Sequence, residues 1–246
     1  MDRLYAALTD TPDSRDHLAA PPSIALPPST NLQAWMPQVT DQGQEGACTA
    51  FAGAAILSWL LNKFQNRQYV FSPQFLYRAE RLIEGDPGVD QGAQSRTMMA
   101  CLKDVGCCLE TSDPYTDGGW KDQTNQTQLA EARNYQIGAY HRVQDFETLK
   151  SVLASGYVAS LNINVYDSFE SDAVGATGIV PMPAPTEALK GGHEVVCVGY
   201  DDASQTLLVR NSWGQAWGDQ GYFHLPYDYW SNVNDCWTAH LGPAWK

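Results

Sequence analysis

Gly46 to Asn62 is the longest uncharged, largely apolar run in the chain. Its residues suit a helix, and a helix without a polar face has to be covered on every side. It falls short of the roughly 20 residues that cross a bilayer. The expectation is therefore a helix buried inside one large core, here between two lobes, running from Cys48 to about Gln65. Gly43 and Gly46 form a turn just ahead of it, in Gln42-Gly43-Gln44-Glu45-Gly46-Ala47-Cys48. Cys48 then falls in the first helical turn, where free backbone N–H groups and the positive end of the dipole favour an anion. That setting lowers a thiol pKa and makes a nucleophile. A cysteine alone in such a place would more often be a buried apolar residue opening a core helix.

Two downstream stretches change that balance. His193 follows a glycine pair in Gly191-Gly192-His193-Glu194-Val195-Val196-Cys197-Val198-Gly199-Tyr200, and Asn211 stands in Val209-Arg210-Asn211-Ser212-Trp213-Gly214. His193 lies 193 − 48 = 145 positions after Cys48, and Asn211 lies 211 − 48 = 163. A Cys–His–Asn set supplies a nucleophile, a base and a group that orients the base. The spacing to histidine is that of one known class of thiol enzymes, and the asparagine falls slightly beyond it.

On these three blocks the chain resembles the papain-like cysteine peptidases, over about residues 24 to 240. Gln42-Gly43-Gln44 with Gly46-Ala47-Cys48 resembles their nucleophile element. Gly192-His193 running to Gly199-Tyr200 resembles the histidine block. Asn211-Ser212-Trp213-Gly214, Trp217-Gly218 and Gly221-Tyr222 resemble the asparagine block. The wording of Asp41-Gln42-Gly43, Phe71-Ser72-Pro73 and Gly199-Tyr200-Asp201-Asp202 is nearer the bacterial, xylellain-like branch than the animal cathepsins. The resemblance implies an α+β fold of two lobes with the active site in the cleft between them. It implies Cys48 as nucleophile, His193 as base and acid, Asn211 as orienter and Gln42 as an oxyanion donor. Trp213 would cover the His–Asn contact, and Gly92-Ala93 is the nearest match to the glycine wall that binds substrate backbone. The main specificity pocket of the family takes the side chain next-but-one to the cut, with an apolar side chain as the default expectation here.

The sequence departs from the family pattern at two places near the nucleophile. Thr49 replaces the usual aromatic residue after it. Glu45 replaces the cysteine three residues before it, which removes the usual bridge; we expect Glu45 to face solvent. Glu194 should point away from His193, since neighbours in a strand face opposite sides, and should leave the base little affected.

Residues 1–23, rich in turn and extended signals such as Thr11-Pro12-Asp13-Ser14 and Pro21-Pro22, read as an extension. It is either a short pro-segment lying across the cleft or an arm packed on the surface. The domain proper is 24–246, with a helical lobe over about 40–134 and a β-rich lobe over about 135–246. Helices are expected from Pro73, capped by Ser72, over Ser95–Val105 closed by Gly106, and over 145–154 capped by Asp145. Strands are expected at 135–143, 158–163, 195–200, 206–211 and 222–225, with 117–128 and 175–189 as loops.

With 17% charged and 11% aromatic residues the chain is globular rather than disordered. A net charge of −13 argues against nucleic acid and anionic membranes as partners. The partners expected are a peptide or protein substrate and a proteinaceous inhibitor, with the chain itself a monomer. Six cysteines and no secretory signal in residues 1–18 suggest a mostly reduced protein, cytoplasmic or exported without a classical signal. One bridge among Cys101, Cys107, Cys108 and Cys236 stays open. No metal or cofactor is expected, because Cys101, Cys107 and Cys108 have neither a nearby histidine nor a paired Cys-x-x-Cys spacing. His17, His141, His224 and His240 have no motif around them. Two other functions stay open: a silent relative that binds peptides, and a transglutaminase-like or amidase acyl transfer on the same Cys–His–Asn set.

Overall fold

The computed structural model describes residues 3–242. After a short strand β1 (Ala7–Leu8) in the N-terminal arm and β2 (Ser29–Asn31), the uncharged run forms α1 (Cys48–Gln65), buried from Cys48 through Asn62. It ends where Asn66 turns left-handed at φ 51°. Next comes α2 (Pro73–Ile83), whose first turn is closed by the Ser72 hydroxyl accepting from Phe75 N–H, with proline at the first helical position. The two-residue strand β3 (Ala93–Gln94) leads straight into α3 (Ser95–Asp104).

The polar stretch expected as loop holds a helix, α4 (Gln126–Ala132). Asn125 and Gln128 cap it reciprocally, Asn125 Oδ1 accepting from Gln128 N–H and Gln128 Oε1 from Asn125 N–H. The strand expected from Tyr135 narrows to β4 (Ala139–Arg142). The helix α5 (Phe146–Ala154) is capped by Asp145 as expected. Then follow β5 (Ala159–Tyr166), a short α6 (Asp172–Thr177) that runs into the start of the segment expected as loop, β6 (Leu189–Asp201), β7 (Thr206–Arg210), β8 (Tyr222–Pro226) and β9 (Val233–His240).

The large sheet runs β4-β9-β5-β6-β7-β8, with β2 also paired to β6, and all of its pairings are antiparallel. β9 carries no clean alternation in sequence because both its faces are buried. One face, with Trp237 and Val196, packs on α1. The other, with Cys197, Val209 and Phe223, packs on Leu149, Val152 and Leu153 of α5. Thus α1 is covered by α2 and α3 on one side and by the sheet on the other, as its lack of charge demands. All six cysteines are buried and unpaired. No described helix is long and apolar enough to cross a membrane.

Candidate active site

The start of α1 and the strand β6 meet at one point. The Cys48 thiol lies against the backbone N–H of Glu194, the residue next to His193. Across from them, His193 Nε2 lies 2.8 Å from Asn211 Oδ1, which also accepts from the Ser212 backbone N–H at 2.8 Å. An oxygen already accepting from an amide takes a second donor, so Nε2 carries the proton and Nδ1 holds the lone pair. His193 Nδ1 is buried with no hydrogen-bond partner among the described residues. Trp213 stacks on the imidazole, ring centroids 5.0 Å apart and planes 25° apart. The structure therefore packs His193, Asn211 and Trp213 together and brings Cys48 to the residue next to His193.

Gln42 belongs to the same cluster and is fixed at both ends. Its Nε2 donates to Glu45 O at 2.9 Å, and its Oε1 accepts from Ser212 Oγ at 2.6 Å. The second Nε2 hydrogen has no acceptor among the described residues. Glu45 does not face solvent as expected: it is buried, holding Gln74 Nε2 at 3.1 Å and Gly118 N–H at 2.9 Å. The turn before Cys48 is thus pinned to α2 through this carboxyl, which burial pushes up to about 7. Thr49, in the place of the aromatic residue, donates its hydroxyl to buried Glu80 of α2 at 2.6 Å.

The N-terminal arm runs through the cleft over these groups. Tyr5 stands edge-on to both His193 and Trp213, at 6.1 Å from each. Arg3 lies 4.8 Å above the Trp213 ring and pairs with Asp41 at 2.9 Å. Ala6 bridges to Gly192 on one wall, and Ala7–Leu8 pair in parallel with Ala93–Gln94 on the other. Both glycines of the walls are dictated by this approach. A β-carbon on Gly92 (φ 74°) would lie 1.7 Å from Ala6 O, and one on Gly192 would lie 2.1 Å from Ala7 O. Gly92-Ala93 thus lies against the extended backbone of the arm.

The arm is then anchored deeper. Asp10 is buried, its carboxylate accepting from Arg96 N–H at 3.0 Å and Trp237 Nε1 at 2.8 Å. Asp16 takes the Arg96 guanidinium at 2.7 and 2.8 Å. Beyond it, His17 O and Ala19 N–H bond the edge of β4 at Arg142. There His17, His141 and His240 form a ring cluster, with centroids 6.4 and 5.5 Å apart. No sequence motif marked it; only the arm's path brings His17 to the sheet.

Electrostatically the covered pair is neutral. Complete burial pushes the Cys48 thiol up to about 12, against the N–H groups of Glu194 and Thr49. The helix N-terminus expected to lower that thiol is outweighed, because a thiolate cut off from water loses more than the dipole returns. Burial likewise pulls His193 down to about 4, against its bond to Asn211. Glu194 points away from the imidazole as expected, but its carboxylate works against a Cys48 thiolate.

Residues 27–240 match the family model described as papain family cysteine protease. Among solved structures, xylellain, a cysteine protease from Xylella fastidiosa, superposes with a TM-score of 0.88 at 34% identity, covering 96% of this chain and 95% of that one. The uncharacterized peptidase C1-like protein L477 of Acanthamoeba polyphaga mimivirus is 35% identical over 205 residues, 79% of this chain and 66% of that protein. Cysteine proteinase 3 of Entamoeba histolytica is 29% identical, covering 83% of this chain and 64% of the relative. The chain thus spans about two thirds of the length of these two relatives. The likeness reaches bacterial, viral and amoebal proteins alike, so the bacterial wording of the motifs does not fix a source.

Proposed function

This chain belongs to the papain family of cysteine proteases, and from that membership we propose that it is a cysteine endopeptidase whose nucleophile is Cys48. The observation that carries this reading is the buried His193–Asn211 pair with its unpartnered Nδ1, on the strand whose Glu194 N–H meets the Cys48 thiol. With the cleft open to water, His193 takes the thiol proton at Nδ1. The thiolate attacks the peptide carbonyl, and the resulting oxyanion is met by the Cys48 backbone N–H and the second N–H of Gln42. The imidazolium then gives its proton to the leaving amine as the tetrahedral intermediate collapses to a thioester. Water, deprotonated by the same Nδ1, attacks the thioester and frees the acid and the thiol. Asn211 holds the tautomer throughout, and Trp213 shields the His–Asn bond.

Residues 1–23 form a covering arm in this reading, and the structure described is a latent one. With the arm seated, thiol and imidazole are both neutral, so the attacking species is scarce. The arm shares the walls Gly92-Ala93 and Gly192 with the substrate and has to leave before a peptide can enter. Six free thiols suit a reducing compartment such as the cytoplasm.

The test is incubation of a mixed peptide library with wild type and Cys48→Ala under reducing conditions, products read by mass. Cleavage with gain of water that vanishes in the variant is expected. Products joined to an amine instead of water would move the reading to acyl transfer. No thiol-dependent product, with the arm trimmed away, would leave a peptide-binding module.

A further inference from the structure

Glu194 is a fully buried acid beside the nucleophile that the steps above leave unused. Register places it in a row. Asn162 of β5 is paired with Glu194 of β6 on one side and with Asp235 of β9 on the other, so the three side chains share one face of the sheet. The arm's main chain crosses this row as a bound peptide would. Asn162 Nδ2 donates to Leu8 O at 3.0 Å, and Asp235 Oδ2 accepts from Asp10 N–H at 2.8 Å.

The two acids of the row are treated differently. Asp235 is ion-paired to Arg142 through Oδ1. Glu194 has no cation partner among the described residues. Its Oε2 accepts from Ser95 Oγ at 2.6 Å, while its buried Oε1 has only the Ser160 hydroxyl beside it, close enough to favour the carboxylate but out of line for a well-formed hydrogen bond. A buried carboxyl oxygen left open is costly, and such atoms call for an explanation. Burial is also what pushes this carboxyl up to about 8, with Asp10 and Asp235 adding to it. The arm brings no donor to it: its buried residues along this stretch are Ala6, Ala7 and Asp10, and the Asp10 carboxylate is itself an acceptor taken by Arg96 N–H and Trp237 Nε1. The cations of the seam stand at the other end of the row, Arg96 and Arg142 both lying over the Trp237 ring at 5.6 and 5.4 Å.

We propose that this row is the selectivity pocket of the cleft and that, once the arm has left, Glu194 takes the arginine or lysine side chain of a peptide substrate. The inference rests on the peptidase reading above and replaces the apolar preference expected from the family resemblance. Asn162 and the glycine walls hold the substrate backbone as they now hold the arm. The alanines of the arm let it lie in the cleft without filling the pocket, so it blocks the site without itself being a good substrate. A cation seated on Glu194 also cancels the charge that opposes the Cys48 thiolate, so a matching substrate assists its own cleavage.

The experiment uses the full chain, folded intact and then trimmed by limited proteolysis within residues 9–23, with a position-scanned peptide library read by mass. Arginine or lysine at one fixed position relative to the cut is expected to be favoured over citrulline or glutamine there by about tenfold or more. In Glu194→Gln, trimmed the same way, that ratio falls to near one. An apolar preference in the wild type overturns the proposal without relying on any variant. So does a cationic preference that survives Glu194→Gln. In either case thiol-dependent cleavage persists and the peptidase reading stands. Absence of any such cleavage sinks both.

Discussion

The carbonyl oxygen of Ala6 occupies the space that a side chain on Gly92 would need: a β-carbon there would lie 1.7 Å from it. Two segments 86 residues apart in sequence (92 − 6) are fitted to each other at the backbone. Gly92 also sits at φ 74°, where a β-carbon is strained in its own right. Gly92→Ala should therefore unseat the arm. The expected outcome is faster hydrogen exchange at the Ala7 and Leu8 amides and faster proteolysis between Leu8 and Ala20, with α1 protection unchanged. Arm amides exchanging at the wild-type rate would contradict the fit.

The arm's contacts imply that it should also act as a separate molecule. A synthetic peptide of residues 3–19 carries Tyr5, the Ala6–Leu8 pairing strand, and both anchors, Asp10 and Asp16. Added to the trimmed chain, it should inhibit competitively with peptide substrate. A version with Asp10→Ala and Asp16→Ala loses the bonds to Arg96 and Trp237 and should inhibit at least about tenfold more weakly, as expected for buried charge-assisted bonds. Equal inhibition by the two peptides would show that the anchors contribute nothing.

Gln42 is held by Ser212 Oγ and Glu45 O with one N–H to spare. A donor that meets only the oxyanion works in the transition state, so Gln42→Ala should lower kcat by about 10²–10³ with little change in KM. His193→Ala should cost about 10²–10⁴ as general base and acid. A Gln42→Ala enzyme that loses affinity for substrate but keeps its kcat would put the side chain in binding instead.

Stability should fall as pH rises from neutral to about 9. Burial holds Glu45 up at about 7 and Glu194 at about 8, both above their unfolded values. A carboxyl raised on folding contributes stability below its unfolded pKa and loses it as pH rises through the folded one. Histidines work the other way. His193 is pulled down to about 4, and His141 is lowered too, so their contribution is lost as pH falls from about 6.5 towards 4. Between pH 7 and 8 the carboxyls act alone; towards pH 9 the buried thiols, which burial raises above their unfolded value, add to the same decline. Urea midpoints should decline from pH 7 to 9, and Glu194→Gln should flatten part of the decline. Midpoints rising over that range would reverse the assigned burial of these acids.

The blocks around Cys48, His193 and Asn211 were legible because chemistry ties each to a local signal: a turn before a helix, a glycine pair before a strand, an asparagine after one. The uncharged run gave α1 to within a residue, and Ser72 and Asp145 gave two helix starts through their caps. What escaped is what distant partners decide. Glu45 reads as a surface acid until Gln74 and Gly118 come to it. β9 hides its period because Asp235 faces the arm and its other face is also buried. The high thiol pKa of Cys48 has no local signal at all, since it comes from complete burial and from Glu194 and Glu80, which are distant in sequence. The capping box Asn125-x-x-Gln128 was readable and was hidden by its polar surroundings.

The most direct measurement is the alkylation rate of Cys48 by iodoacetamide as a function of pH, in the intact chain and in the chain trimmed of its arm, with the site read by mass. The intact chain should react slowly at pH 7 and accelerate steeply only towards pH 10 and above, as a thiol pushed up to about 12 requires. The trimmed chain should already react at a high plateau rate near pH 6, the mark of a thiolate held by His193. Identical pH profiles for the two would contradict a competent pair kept latent by the arm.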